Sequence, residues 1–274
     1  MADYGPPVDQ LLRIGDDPLR EGTQDYLALG IGPEHVEDLA RLAVAPWDSP
    51  DPDGPEVYGP IHAWRALGQL RAEGGIAALV SVLAGQDDQD FNDWICEEIP
   101  PILGQIGPAA IPELTALLER ETAGEFARMD VVRSIAEVGK QHPEARDEVV
   151  AILSGRLEKA EQNGLTLNAT IVSELIDLKA KEAAGEIERA YAGDFVDDSF
   201  CGTWHDVWHS LKLEGDPPPK TEMKHHLAKQ FPFLRALSEG RLPAAGRPTA
   251  DRRSRNRAKL KLEKKARKKG RKRR

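Results

Sequence analysis

One helical unit occurs twice between Ile61 and Arg120. Each copy has an apolar helix that ends near a Leu-Gly pair, a short break, and a second amphipathic helix. The equivalent residues Leu67 and Leu103 are 36 positions apart (103 minus 67). Self-similarity at this period indicates a helical solenoid, in which stacked units bury one continuous core.

Weaker copies of the unit flank these two. Residues 126–157 and 167–191 have the spacing of a third and a fourth repeat, and residues 28–43 have that of a degenerate first one. Short helices are predicted at Val8–Ile14 and Gln24–Leu29. Repeats of ~33–40 residues fit the HEAT and armadillo size range, near its lower end. We therefore expect an all-α fold, a right-handed α-α superhelix of about four such repeats.

Prolines interrupt the pattern at two places. Residues 45–60 contain five prolines, so we expect a polar loop there, and its aspartates lack the full ligand spacing of a calcium loop. Pro100 and Pro101 lie within the first helix of the second clear repeat. They are expected to bend that helix without ending it.

The repeats resemble a known family. The segments ALGQL and GGIAALVSVL (66–70 and 74–83) and ILGQIGPAAIPELTALL (102–118) are similar to the short HEAT-like repeats of phycobilisome lyase subunits, over roughly Asp25 to Tyr191. The stretch from Glu174 to Leu211 resembles bacterial HEAT-type proteins of unknown function, some of which carry a C-terminal SEC-C motif, a Cys-rich zinc module. No Cys cluster follows here, so the resemblance implies the repeat fold without the zinc module.

Three residues near the end of the repeats have the spacing of metal ligands. Cys201, His205 and His209 are four apart and would share one helix face, but a structural zinc site usually needs a fourth ligand. The same segment has an apolar stripe at the i, i+3, i+4 and i+7 positions, formed by Trp204, Val207, Trp208 and Leu211. We favour a capping helix that docks on the last repeat, and we expect no metal and no cofactor.

Charge divides the chain into an acidic body and a basic tail. Residues 251–274 hold 15 Lys and Arg and 2 acidic residues, whereas residues 1–250 hold 22 and 44. The tail is expected to be disordered because like charges crowd it. Such a tail can neutralise phosphates, so RNA, DNA or the ribosome are candidate partners; an acidic partner, the acidic body itself, or no dedicated partner are alternatives. The candidate nucleic-acid-binding residues are Lys264, Lys265, Arg267, Lys268, Lys269, Arg271, Lys272, Arg273 and Arg274.

These patterns predict a domain order and a compartment. We expect a repeat solenoid with its end cap at 1–213, a linker with one short helix at 214–250, and the tail at 251–274. The sequence shows neither the pattern of a signal peptide nor that of a membrane helix, which favours a cytoplasmic protein without membrane contact. We expect a monomer.

Three functional hypotheses follow from these expectations. The absence of a phosphate loop and of the common hydrolase and metalloprotease motifs favours a non-catalytic protein-interaction scaffold with an unidentified protein partner. A nucleic-acid- or ribosome-associated protein is the alternative. The resemblance to lyase subunits implies a lyase-like accessory protein as the third hypothesis.

Overall fold

The computed structural model describes residues 4–16, 24–46, 54–86 and 93–224. Every regular element in those ranges is a helix, which confirms the predicted all-α class. None of these helices has both the length and the apolar character needed to cross a bilayer. The α-helices, numbered along the chain, are α1 (Leu11–Ile14), α2 (Val36–Ala43), α3 (Gly59–Gln69), α4 (Ile76–Gly85), α5 (Asp93–Ile106), α6 (Ile111–Leu118), α7 (Glu125–Gln141), α8 (Arg146–Leu157), α9 (Leu165–Asp177), α10 (Ala184–Ala192), α11 (Asp198–Cys201) and α12 (Trp204–Ser210).

A single 3-10 turn introduces every second helix from α2 to α10. These turns begin at residues 33, 73, 108, 143 and 181, which are 35 to 40 positions apart. Proline opens three of them, at Pro33, Pro108 and Pro143. Its missing N–H costs nothing there, because the first N–H groups of a helix have no partner within the helix. The period in the sequence therefore corresponds to a repeated turn and helix.

Four helices end in the same left-handed turn. Arg71, Lys179, Asp194 and Lys212 each adopt a positive φ, between 50° and 61°. After α3, the Ala72 N–H donates to the Leu67 carbonyl at 3.0 Å, and the Arg71 N–H donates to the Gly68 carbonyl at 2.9 Å. This pair of bonds satisfies carbonyls that the helix end would otherwise leave unpaired. The chain can then reverse within a few residues.

The helices pack in two series. In one series α3 contacts α5, α5 contacts α7, α7 contacts α9 and α9 contacts α11. In the other, α2 contacts α4 and α4 contacts α6, and α8 contacts α10 and α10 contacts α12. Apolar side chains between the series form one continuous core that runs from Tyr4 to Leu211. Trp64 joins α3 to α2, because its buried indole N–H donates to the Ala43 carbonyl at 2.8 Å.

Most predicted helices are present, and two predictions were wrong. The polar loop expected at 45–60 ends early, because residues 55–58 form a 3-10 turn and Gly59 and Pro60 begin α3, where a proline breaks no helical hydrogen bond. Pro100 and Pro101 lie inside α5, which continues through them as expected. The helix predicted at Gln24–Leu29 is only a 3-10 turn at Leu27–Leu29. Two causes act there: Gly30 turns the chain with φ 87°, and Tyr26 leaves helical pairing because its N–H donates to the Gln69 side chain at 2.9 Å.

The described part of the chain ends with the first of two units, Met1–Lys224, and the second comprises residues 225–274. The second unit lies outside the described residues. The predicted linker helix after Met223 and the predicted disordered tail therefore also lie outside them, as does the proline-rich loop between residues 46 and 54. The capping-helix prediction falls within the first unit, where Val207 and Leu211 are buried and α12 contacts α10.

Candidate functional site

A cavity of about 320 Å³ lies where α10, α11 and α12 meet the segment 216–224, which has no regular secondary structure. We call it the end cavity. Its walls carry three carboxylates, two aromatic rings and a pair of prolines. The residues that matter to its chemistry are Glu188, Tyr191, Asp194, Asp198, Trp204 and Lys224.

Helix caps position the acidic wall of the end cavity. The left-handed turn at Asp194 ends α10, and the Phe195 N–H returns to the Ala190 carbonyl at 3.0 Å. Asp197 then caps α11, accepting the Ser199 N–H at 3.1 Å. Because the cap fixes where α11 begins, Asp198 occupies its first turn. Asp198 therefore lines the end cavity, as Asp194 does.

A second cap places the aromatic wall. Thr203 and Asp206 form a reciprocal capping box at the start of α12, with the Thr203 N–H donating to Asp206 at 2.9 Å. Trp204 is therefore the first residue of α12. Its ring stacks on that of Tyr191, with the ring centroids 6.1 Å apart and the planes 29° apart.

The Tyr191 hydroxyl makes two contacts within the protein. It donates to the Gly202 carbonyl at 2.7 Å and lies 3.1 Å from the Cys201 sulfur. Burial, assisted by the neighbouring thiol and carboxylates, raises the pKa of Tyr191 well above its ordinary value. Tyr191 is therefore a neutral ring that supplies a π face to the end cavity.

One carboxylate of the end cavity is only half satisfied. Asp198 is 6% exposed, and its Oδ2 accepts the Lys224 backbone N–H at 2.7 Å. Its Oδ1 is buried and has no hydrogen-bond partner in the part of the chain that the structure describes. The Asp194 carboxylate is paired with the Lys224 ammonium, and Glu188 lies exposed on α10.

The structure brings the two candidate histidine ligands together but turns Cys201 away from them. The rings of His205 and His209 are 4.6 Å apart, and His205 Nδ1 donates to the Pro218 carbonyl at 2.7 Å. Cys201 faces Tyr191, and burial raises the pKa of its thiol to about 11. A protonated thiol is a poor metal ligand and a poor nucleophile. Among the described residues, no group of three or more His, Cys, Asp or Glu is placed to hold a metal ion.

A second polar region consists of ion pairs between successive repeats, and we call it the ionic seam. Arg65 of α3 makes two bonds to Glu98 of α5, at 2.6 and 2.7 Å. Lys140 of α7 contacts Glu174 of α9 at 2.8 Å, and Arg146 of α8 contacts Glu182 at 2.8 Å. Each contact joins one repeat to the next.

The charges of the ionic seam are already paired within the protein. Burial alone would lower the pKa of Lys140, but the hydrogen bond and charge of Glu174 outweigh it and raise that pKa. Burial raises the pKa of Glu174, and the Lys140 ammonium opposes that rise. The seam therefore connects neighbouring repeats, and the end cavity, with its half-satisfied carboxylate, is the better candidate for binding.

The sequence contains signals for the end cavity besides the spacing of Cys201, His205 and His209. Asp194, Asp197 and Asp198 crowd the short link between α10 and α11, and Tyr191 and Trp204 flank that link. Their convergence depends on the left-handed turn at Asp194 and on the two caps. The tail residues from Lys264 to Arg274 that were predicted to bind nucleic acid lie outside the described residues.

Comparison with known proteins gives one match. A family model described as "Protein of unknown function (DUF1186)" matches residues 53–230, which include both clear repeats and the end cavity. No curated protein and no solved structure matches the chain.

Proposed function

The chain belongs to the DUF1186 family, and we propose that it acts as a non-catalytic protein-interaction scaffold built as a HEAT-like, right-handed α-solenoid. Two features support the solenoid. The 3-10 turns recur every 35 to 40 residues, and each helix of the α3 to α11 series contacts the next one in that series. Such stacks expose long faces that suit extended partners.

The observation that carries the scaffold proposal is the charge of this stack. Residues 1–224 contain 43 Asp and Glu and 18 Lys and Arg. Acidic residues therefore outnumber basic ones by more than two to one, and several of the basic residues are already paired in the ionic seam. A surface of this kind attracts basic segments and repels nucleic acids. The proposed partner is therefore a protein with a Lys- or Arg-rich segment.

Affinity capture from a lysate of the host tests the scaffold. Full-length protein and a chain ending at Thr249 serve as baits, each with and without nuclease. We expect the same basic protein with both baits and regardless of nuclease. If neither bait retains a protein, or if all captured protein disappears with nuclease, the scaffold proposal is wrong.

The composition of the tail favours a second candidate, binding of nucleic acid or of the ribosome. Residues 251–274 carry 15 cationic side chains and no aromatic residue, which suits phosphate contacts without base stacking. In this case RNA or ribosomal material comes down only with the full-length bait. Its affinity falls steeply with salt, because binding releases counterions.

A further inference from the structure

We propose that the end cavity binds the cationic end of a lysine or arginine side chain from a basic protein segment. The inference rests on the scaffold proposal, because it names the chemistry of the group that the scaffold would recognise. Three independent features of the cavity wall support it: its charge, the free oxygen of Asp198, and the aromatic pair.

The charge of the wall is negative. Glu188, Asp194 and Asp198 face the end cavity, and Lys224 is the cation that lines it among the described residues. Among the described residues, three acidic side chains and one basic side chain therefore line the wall. A phosphate or a carboxylate ligand would be repelled, whereas an ammonium or guanidinium group would be attracted.

The free oxygen of Asp198 requires a donor. A buried carboxylate oxygen without a hydrogen bond costs free energy, and a ligand N–H that reaches it removes that cost. Asp198 Oδ1 is such an oxygen among the described residues; Asp198 is 6% exposed and is one of the residues that line the end cavity. A charged N–H donor is the best match, because hydrogen bonds between two charged groups are the strongest ones.

The aromatic pair and the prolines suit the rest of a basic side chain. The stacked rings of Tyr191 and Trp204 offer π faces to a cation, which favours an ammonium or guanidinium within about 6 Å of the ring centre. Pro218 and Pro219 add apolar surface on the segment 216–224. The methylene stem of a lysine or arginine can pack there while its charged end reaches the carboxylates.

Substitutions at Lys224 and at Asp198 should change the affinity for a basic side chain in opposite directions. Its ammonium pairs with Asp194 inside the same cavity, so it competes with an incoming cation for that carboxylate. Removing the ammonium by Lys224→Gln should strengthen binding, whereas neutralising the half-satisfied carboxylate by Asp198→Asn should weaken it. Damage to the fold would weaken binding in both variants.

The experiment follows the indole N–H resonances of the full chain by NMR during peptide titrations. Trp204→Phe assigns the Trp204 resonance among the five tryptophans. The probes are short acetylated Gly-Ser peptides with one central lysine, arginine, acetyl-lysine or norleucine. We expect the lysine or the arginine peptide to shift the Trp204 resonance at saturable concentrations, and the two uncharged peptides to leave it unchanged.

The variants complete the test. We expect Asp198→Asn to raise the dissociation constant of the basic peptide about tenfold, as for the loss of one charged hydrogen bond. We expect Lys224→Gln to lower it. Glu113→Gln, at an exposed carboxylate on α6, is the matched control and should have no effect. An equal shift with norleucine, or Asp198→Asn behaving like Glu113→Gln, overturns the inference.

The two proposals fail in different ways. If Asp198→Asn bait captures the same protein from lysate as the wild-type bait, and the basic peptides do not bind, the scaffold stands and the cavity assignment is wrong. If capture yields no protein although the peptide titration depends on Asp198, the cavity assignment stands and the scaffold proposal is wrong.

Discussion

His62 is a fully buried ionisable side chain that uses both ring nitrogens. Nε2 lies 2.7 Å from the Gly15 carbonyl, and Nδ1 lies 2.7 Å from the Tyr26 hydroxyl. A carbonyl only accepts, so Nε2 carries the proton and Nδ1 accepts from Tyr26. The neutral imidazole is thus fully satisfied, and burial lowers the pKa of His62 against the opposing effect of the Gly15 hydrogen bond.

Stability should therefore fall at mildly acidic pH through His62. Above the unfolded-state pKa of ~6.5 the residue is neutral in both states and has no effect. Below it, the unfolded chain binds a proton that the folded chain refuses. The free energy of unfolding should then drop by up to ~1.4 kcal/mol per pH unit, until the lowered folded-state pKa is reached. Urea unfolding between pH 8 and pH 5 measures this slope.

The matched variants for this prediction are His62→Gln and His209→Gln. Glutamine can accept from Tyr26 and donate to Gly15 without titrating, so His62→Gln should lose this part of the slope even if it is less stable at pH 8. His209 is exposed on α12, and His209→Gln should keep the slope. An unchanged slope in His62→Gln would contradict the assignment.

At the scale of elements, glycines set how closely neighbouring helices approach. A Cβ added at Gly104 of α5 would lie 2.9 Å from the Glu137 Cβ of α7 and 2.5 Å from the Gln141 amide. A Cβ at Gly68 of α3 would lie 2.7 Å from the Gln105 side chain of α5. The Glu137 Cβ is fixed to its backbone and cannot move aside. The contact between α5 and α7 therefore requires glycine at position 104.

Two glycine-to-alanine changes should consequently act in opposite directions. Alanine favours a helix over glycine by about 1 kcal/mol. At Gly155 of α8 an added Cβ meets nothing within 4 Å, so Gly155→Ala should gain up to that amount. At Gly104 the clash should outweigh the gain, with a net loss of about 1–3 kcal/mol. Denaturant midpoints of the two variants measure the difference, and stabilisation by both would contradict the close packing.

At the scale of the whole molecule, repulsion within the acidic body should lower the stability of the folded state. The chain up to Thr249 holds 44 acidic and 22 basic side chains. Mutual repulsion among the excess carboxylates disfavours the folded state, and salt screens it over about 10 Å at 0.1 M. Salt also weakens the exposed ion pairs, but such pairs contribute little. The repulsion should therefore dominate the response to salt.

We expect monovalent salt to stabilise the chain ending at Thr249. Raising sodium chloride from ~10 mM to ~0.3 M, across which screening becomes short-ranged, should raise the melting temperature by about 3 °C, or ~1 kcal/mol. A double variant, Glu121→Gln with Glu158→Gln, removes two exposed carboxylates and should show a smaller rise. A fall in melting temperature with salt would mean that the ion pairs outweigh the repulsion.

The sequence by itself determined the helical class, the repeat period and the burial of Val207 and Leu211, two of the four residues of the capping stripe. These properties follow from apolar spacing and from Gly and Pro at the breaks, which act within one repeat. The same local signals misled at Gln24–Leu29, because the Tyr26 N–H is bound by Gln69, more than forty residues away. Local pattern cannot report such a contact.

Only the tertiary structure decided where the chemistry lies. Cys201, His205 and His209 share a spacing, yet the fold directs the thiol to Tyr191 and the His205 ring to Pro218. At the end cavity Asp198 accepts a hydrogen bond from Lys224, twenty-six positions away, and one of its carboxylate oxygens has no donor within the described ranges. The physical reason is that hydrogen bonding and burial depend on which surfaces meet across helices. Residue types and their spacing along the chain do not specify this meeting.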